Sequence, residues 1–221
     1  MTSDNIPIAV IGHAYRAPGI GRKGLWDYLA QARSAWSKIP AERFDHSAFA
    51  NTQTGPDRSG VFRVNGAHFV PGDVFAFDAP FFNMRPEEAK NTDPQFRMAL
   101  ECALEAAEDA GLSLLDLSGK KIGVFMGAGQ HEYANSLTDD QFSPGTFSAT
   151  GVAPCMLANR VSYFFNIDGP SIALDAACAS SVYASHVAMS ALRNGDCSAA
   201  FVGAASLNLG PGGWLALGKT G

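Results

Sequence analysis

Gly169-Pro170-Ser171-Ile172-Ala173-Leu174-Asp175-Ala176-Ala177-Cys178-Ala179-Ser180-Ser181, followed by the small-residue run Val182 to Leu192, is the stretch whose reading decides the fold. Gly169 and Pro170 punctuate it. Ile172 to Leu174 predict a short buried strand, and small residues then turn the chain into a helix that ends near Arg193-Asn194-Gly195. Cys178 therefore falls at a strand-to-helix turn. A thiol at a helix N-terminus faces unpaired backbone N–H groups and the positive end of the macrodipole, which favour the thiolate and make it a better nucleophile. The small neighbours Ala176, Ala177 and Ala179 leave room for a bulky acyl group. Free cysteines also serve as inert core filler, so spacing alone leaves both readings open.

The flanking segments supply the rest of a sheet. Upstream, Met156 to Phe165 predicts a helix and Lys121-Ile122-Gly123-Val124-Phe125-Met126-Gly127 a strand; downstream, Ser198 to Leu207 predicts another strand. Asp93-Pro94-Gln95 to Gly111 is the clearest helix, with Asp93 as N-cap, Pro94 at the first helical position and Gly111 at the left-handed position after the last turn. Phe96, Leu100, Ala103, Leu104 and Ala107 fall on one face, so Glu101, Glu105, Glu108 and Asp109 read as a solvated face. Pro7 to Gly12 predicts a strand, so near Met1 that no docking helix is expected before it, and a helix starts at Leu25-Trp26-Asp27-Tyr28-Leu29. Arg16, Arg22 and Lys23 read as a solvated loop. Residues 39–75 read as irregular with a short hairpin near Gly60 to Phe69, and residues 130–150 as a polar loop. Strands alternating with helices imply a mostly parallel sheet covered on both faces.

At 221 residues, with 47% hydrophobic and 17% charged residues, the chain suits a rather apolar α/β protein. Its net charge of -5 gives no basis for nucleic-acid binding. The four cysteines, Cys102, Cys155, Cys178 and Cys197, form no CxxC pair and suit reduced thiols in a cytoplasmic protein better than a disulfide framework or a zinc site. No stretch has the length and apolarity of a membrane span, and the first residues carry no signal-peptide pattern.

The ordered motifs together resemble those of a β-ketoacyl synthase of the polyketide synthase type, a thiolase-like condensing enzyme. They are Ile8 to Gly12 with Arg16, Pro18 and Gly19; Phe77-Asp78-Ala79-Pro80-Phe81-Phe82 with Pro86-Glu87-Glu88-Ala89; and Asp93-Pro94-Gln95 with Arg97, Leu100-Glu101, Glu105-Ala106 and Glu108 to Gly111. Gly123 to Gly127, Ala158-Asn159-Arg160-Val161-Ser162-Tyr163-Phe164-Phe165 and Gly169-Pro170-Ser171 continue the series. The family's D-T-A-C-S-S-S motif stands here as Asp175 to Ser181, with Ala176 for its Thr and Ala179 for its first Ser. Its early G-M-A-C-R-F-P-G reads Gly12-His13-Ala14-Tyr15-Arg16-Ala17-Pro18-Gly19.

The resemblance implies a thiolase-like α/β fold with a mostly parallel mixed sheet covered by helices. Residues 1–221 would be the N-terminal synthase domain, one half of a two-half architecture, and Cys178 the acyl-accepting catalytic nucleophile. The family's two catalytic histidines, its lysine and its Gly-Phe-Gly segment belong to the second half, beyond Gly221. The implied partners are an acyl carrier protein, whose phosphopantetheine presents the substrates, and a second synthase chain, either as a homodimer or as a complementary or full-length copy. No cofactor bound by this chain is expected. The implied function is acyl transfer to Cys178, with decarboxylative Claisen condensation only when the second half completes the site. The alternative is a non-catalytic truncated homologue acting as an interaction or regulatory subunit. In either case this half alone is expected to expose an apolar patch.

None of the five histidines is expected to replace the missing pair. His186 lies eight residues after Cys178 on one helix, roughly 12 Å along the axis, and reads as a packing residue. His131 lies in the loop after the second strand, and His13, His46 and His68 have no evident partner. Gly213 to Thr220 satisfies G-x-x-x-x-G-K-[ST], but its Trp-Leu-Ala-Leu middle suits a helix better than a phosphate loop. Gly127-Ala128-Gly129 lacks the third glycine and the acidic residue of a dinucleotide site.

Overall fold

A computed structural model describes residues 6–20, 24–50, 60–129, 131–137 and 145–218. The elements run α1 (Leu25–Ala30), β1 (Trp36–Lys38), a 3₁₀ turn (His46–Ala48), β2 (Gly66–His68), α2 (Pro86–Asn91), α3 (Pro94–Asp109), α4 (Leu114–Leu117) and β3 (Ile122–Ala128). They continue with α5 (Glu132–Leu137), α6 (Ser148–Val152), α7 (Met156–Phe165), β4 (Ser171–Leu174), a 3₁₀ turn (Ala177–Ala179), α8 (Ser180–Asn194), β5 (Ala199–Ala205) and α9 (Gly212–Leu217).

Three parallel strands lie in the order β4-β3-β5. β3 is central and buried at every position. Its pleat sends Val124 and Met126 into a cluster with Leu100, Leu157, Val161 and Phe165 of α3 and α7, and Phe125 to the other face, among Ala184, Ala188 and Ala191 of α8. Helices cover both faces, as the alternation of elements predicts.

The edges differ from expectation. Ile172 on β4 and Val202 on β5 flank Phe125 in register, yet they are 40% and 44% exposed. α8 is a single helix that packs mainly over β3 and β5 and meets β4 far less, with a small-residue buried stripe of Ser180, Ala184, Ala188 and Ala191. β4 is therefore an only half-buried edge strand. Val182, Tyr183 and Met189 on α8 are exposed as well, so several large apolar side chains stand exposed on this side of the molecule.

Two close approaches fix neighbouring elements. A Cβ on Gly169 would sit 2.1 Å from the Ile122 carbonyl oxygen at the start of β3, and one on Gly151 of α6 would overlap the carbonyl of Asn91, the last residue of α2. α3 begins as its caps predict. The Asp93 carboxylate accepts the Gln95 N–H at 2.8 Å, Pro94 takes the first helical position, and Gly111 lies at φ 72°. Asp93 also donates its N–H to the Gly151 carbonyl, and the Gln95 side chain accepts the Leu207 N–H at 3.1 Å. The helix N-terminus thereby joins α6 to the chain leaving β5.

Several expectations are corrected. Pro7 to Gly12 forms no strand; Val10 and Ile11 are 88% and 64% exposed, and among the described residues no strand edge pairs with them. Gly12 lies against α3, where a Cβ would meet the Ala106 carbonyl. Nor is there a local hairpin at Gly60 to Phe69, since β2 pairs antiparallel with β1, Trp36 opposite His68. The polar stretch 130–150 contains α5 and the start of α6. Glu101 and Glu105 are not simply solvated: Arg16 donates to both Glu105 oxygens at 2.6 and 2.7 Å and lies 3.7 Å from Glu101. Glu105 raises the Arg16 pKa mainly through these hydrogen bonds. Arg22 and Lys23 lie outside the described residues.

Because overpacking a close contact costs about 1–3 kcal/mol, Gly169→Ala is expected to lower stability by that amount, read from urea unfolding midpoints. Burial is the largest influence on Asp93 and raises its pKa, against the hydrogen bonds from Gln95. Its contribution to stability is therefore present below the ordinary carboxylate range and is lost as pH rises through the folded-state value. Asp93→Asn keeps a good N-cap, and its urea midpoint is expected to fall less than wild type's over that rise in pH.

Candidate active site

The carboxyl ends of β3, β4 and β5 lie together because the strands are parallel, and ligands of open α/β sheets bind at such ends. β4 ends at Leu174, and α8 begins at Ser180. The five intervening residues reverse the chain and present Cys178 as an exposed thiol at the helix N-terminus.

The turn is sharp because Ala177 takes φ 51°, a left-handed conformation that costs a non-glycine residue roughly 1–2 kcal/mol. Side-chain bonds hold it there. The Asp175 carboxylate accepts the Ala177 N–H at 2.8 Å. The buried Ser180 hydroxyl accepts the Ala176 N–H at 2.9 Å and donates to the Ala177 carbonyl at 2.7 Å. Beneath it, Gly127 of β3 leaves space that a Cβ would fill, since that atom would sit 2.8 Å from the Ser180 Cβ.

Other loops are tied down by polar residues that spacing did not single out. Glu132 of α5 accepts backbone N–H groups from Leu209, Gly210 and Gly213 at 2.8, 2.9 and 2.9 Å. Arg97 donates to the Phe75 carbonyl at 2.9 Å, and burial is the main cause lowering its pKa. A cleft of about 390 Å³ is lined by Phe75, Phe77, Arg97 and Tyr133 but not by Cys178.

Each histidine lies outside the turn from Asp175 to Ala179. His186 is exposed on α8 rather than packed. His13 pairs with Asp109 at 3.0 Å, His46 hydrogen-bonds the Val64 carbonyl at 3.1 Å, and His131 is exposed just before α5. The middle of the Gly213 to Thr220 match is helix α9, not a phosphate loop, and Lys219 and Thr220 lie outside the described residues. Among the described residues no three His, Cys, Asp or Glu side chains cluster as metal ligands, and no helix is long and apolar enough to cross a membrane.

A parallel α/β sheet that presents a cysteine on a strained turn at a helix N-terminus fits the thiolase-like class of fold. The family model described as "Beta-ketoacyl synthase, N-terminal domain" matches residues 5–221, and the chain belongs to that family. It is 70% identical over 221 residues to the highly reducing polyketide synthase Preu5 of Preussia isomera, covering 100% of this chain and 9% of that protein. To the highly reducing polyketide synthase ACRTS2 of Alternaria alternata it is 66% identical over 215 residues, 97% of this chain and 8% of that protein. The chain thus spans less than a tenth of these relatives.

Among solved structures, the oxazolomycin ketosynthase domain OzmH KS7 of Streptomyces albus superposes with a TM-score of 0.88 at 36% identity, over 96% of this chain and 37% of that one. The ketosynthase from module 6 of the bacillaene synthase of Bacillus subtilis gives 0.82 at 33% identity, over 96% and 34%.

Cys178 and Cys155 are exposed whereas Cys197 is 3% exposed, and burial raises the Cys197 pKa. Iodoacetamide is therefore expected to label Cys178 and Cys155 in the native protein well before Cys197, as peptide mapping would show.

Proposed function

We propose that the chain is the N-terminal domain of a polyketide ketosynthase and that its Cys178 accepts an acyl group from the phosphopantetheine thiol of an acyl carrier protein. The observation that carries this is the exposed Cys178 at the N-terminus of α8 on a turn braced by Asp175 and Ser180. The thiolate attacks the thioester carbonyl, a new sulfur–carbon bond forms, the bond to the carrier thiol breaks, and that thiol leaves with a proton. The Cys178 backbone N–H serves as a donor to the developing oxyanion.

Condensation follows when the second half of the synthase supplies the remaining catalytic groups. A malonyl-type extender loses carbon dioxide, its enolate carbon attacks the Cys178 thioester, and the β-ketoacyl product stays on the carrier while the thiol is released. Partners of this reading are the acyl carrier protein and a second synthase chain. The exposed Ile172, Val182, Tyr183, Met189 and Val202 support pairing with further protein. The same face supports the second reading, a non-catalytic subunit that pairs with a full-length synthase.

Intact-protein mass spectrometry after incubation with an acyl-carrier-protein thioester separates the two. Loading predicts a single acyl adduct that Cys178→Ala abolishes. Folded, soluble protein that takes no adduct would overturn loading by this chain and favour the subunit reading.

A further inference from the structure

We infer that Ser180 is the positioning residue of the oxyanion donor, holding the peptide that carries the Cys178 N–H at the angle acyl transfer requires. This rests on the loading reading above. The Ala177 carbonyl and the Cys178 N–H belong to one planar trans peptide group and point in opposite directions. Whatever fixes the carbonyl therefore fixes the N–H.

Ser180 fixes it twice, since both its backbone N–H and its hydroxyl donate to the Ala177 carbonyl. The hydroxyl also accepts the Ala176 N–H, so one oxygen spans the residue whose φ is reversed. Ala176 stands where the family motif has a Thr and contributes its N–H to this bridge. The bridge cannot sink toward the sheet, because the Ser180 Cβ occupies the space left by the missing side chain of Gly127. Drawn inward by Ser180, the carbonyl leaves the Cys178 N–H directed away from the core, beside its own exposed thiol.

The separating measurement compares two reactions of the same sulfur. Acyl transfer from hexanoyl-N-acetylcysteamine builds an oxyanion; alkylation by iodoacetamide does not. Ser180→Ala is expected to slow acylation of Cys178 by about 10- to 100-fold, short of or equal to the loss of a full oxyanion donor, and to leave its alkylation rate unchanged. Ser180→Thr keeps the hydroxyl and is expected to retain acylation. Equal losses in both reactions would mark a role in folding or in placing the thiol and would overturn the inference, as would unchanged acylation in Ser180→Ala. A wild-type protein that alkylates at Cys178 but never acylates would overturn the loading reading, and this inference with it.

Discussion

The burial of β3 on both faces and its hydrogen bonding along both edges is the constraint on which the other elements depend. A strand with no solvated side must be flanked by later strands and covered by helices, and α3 and α7 take one face while α8 takes the other. The two faces are built differently. Toward α3 and α7 the strand offers Val124 and Met126; toward α8 it offers Gly123, Phe125 and Gly127. The glycine at the carboxyl end lets α8 begin almost in contact with the strand. The sharpness of the turn at Cys178 follows from that proximity.

Elements whose boundaries are set by local chemistry were legible in the sequence. α3 carries its start in Asp93-Pro94 and its stop at Gly111, α7 spans Met156 to Phe165, and α8 ends at Gly195 with φ 77°. The turn at Cys178 was legible as a location but not as a conformation, because alanine gives no signal of positive φ and Ala177 adopts it only under the hold of Asp175 and Ser180. The bidentate Arg16–Glu105 pair joins residues far apart in sequence, so neither local run announced it. Glu132 reads as one more polar residue of a loop until the fold brings three backbone amides to it.

Ile8 to Gly12 shows the opposite failure. Its composition is that of a strand, but a strand exists only where an edge accepts it, and among the described residues none does. The same logic governs the sheet face on the α8 side, where Ile172 of β4 and Val202 of β5 have the apolar character of interior positions and are yet 40% and 44% exposed. Sequence pattern records which residues are apolar; the fold decides which of them are buried.

The strand order also sets a timetable. β3 is made before both of its neighbours, and β5, which pairs with it from Ile122↔Ala199 to Ala128↔Ala205, is made last. At ordinary synthesis rates roughly 4–15 s separate the end of β3 from the end of β5. Throughout that interval the strand that ends up buried at every position has unmatched backbone groups along at least one edge, and such edges recruit other strands. A nascent chain of this topology keeps an unpaired edge on β3 until β5 completes that side of the ladder.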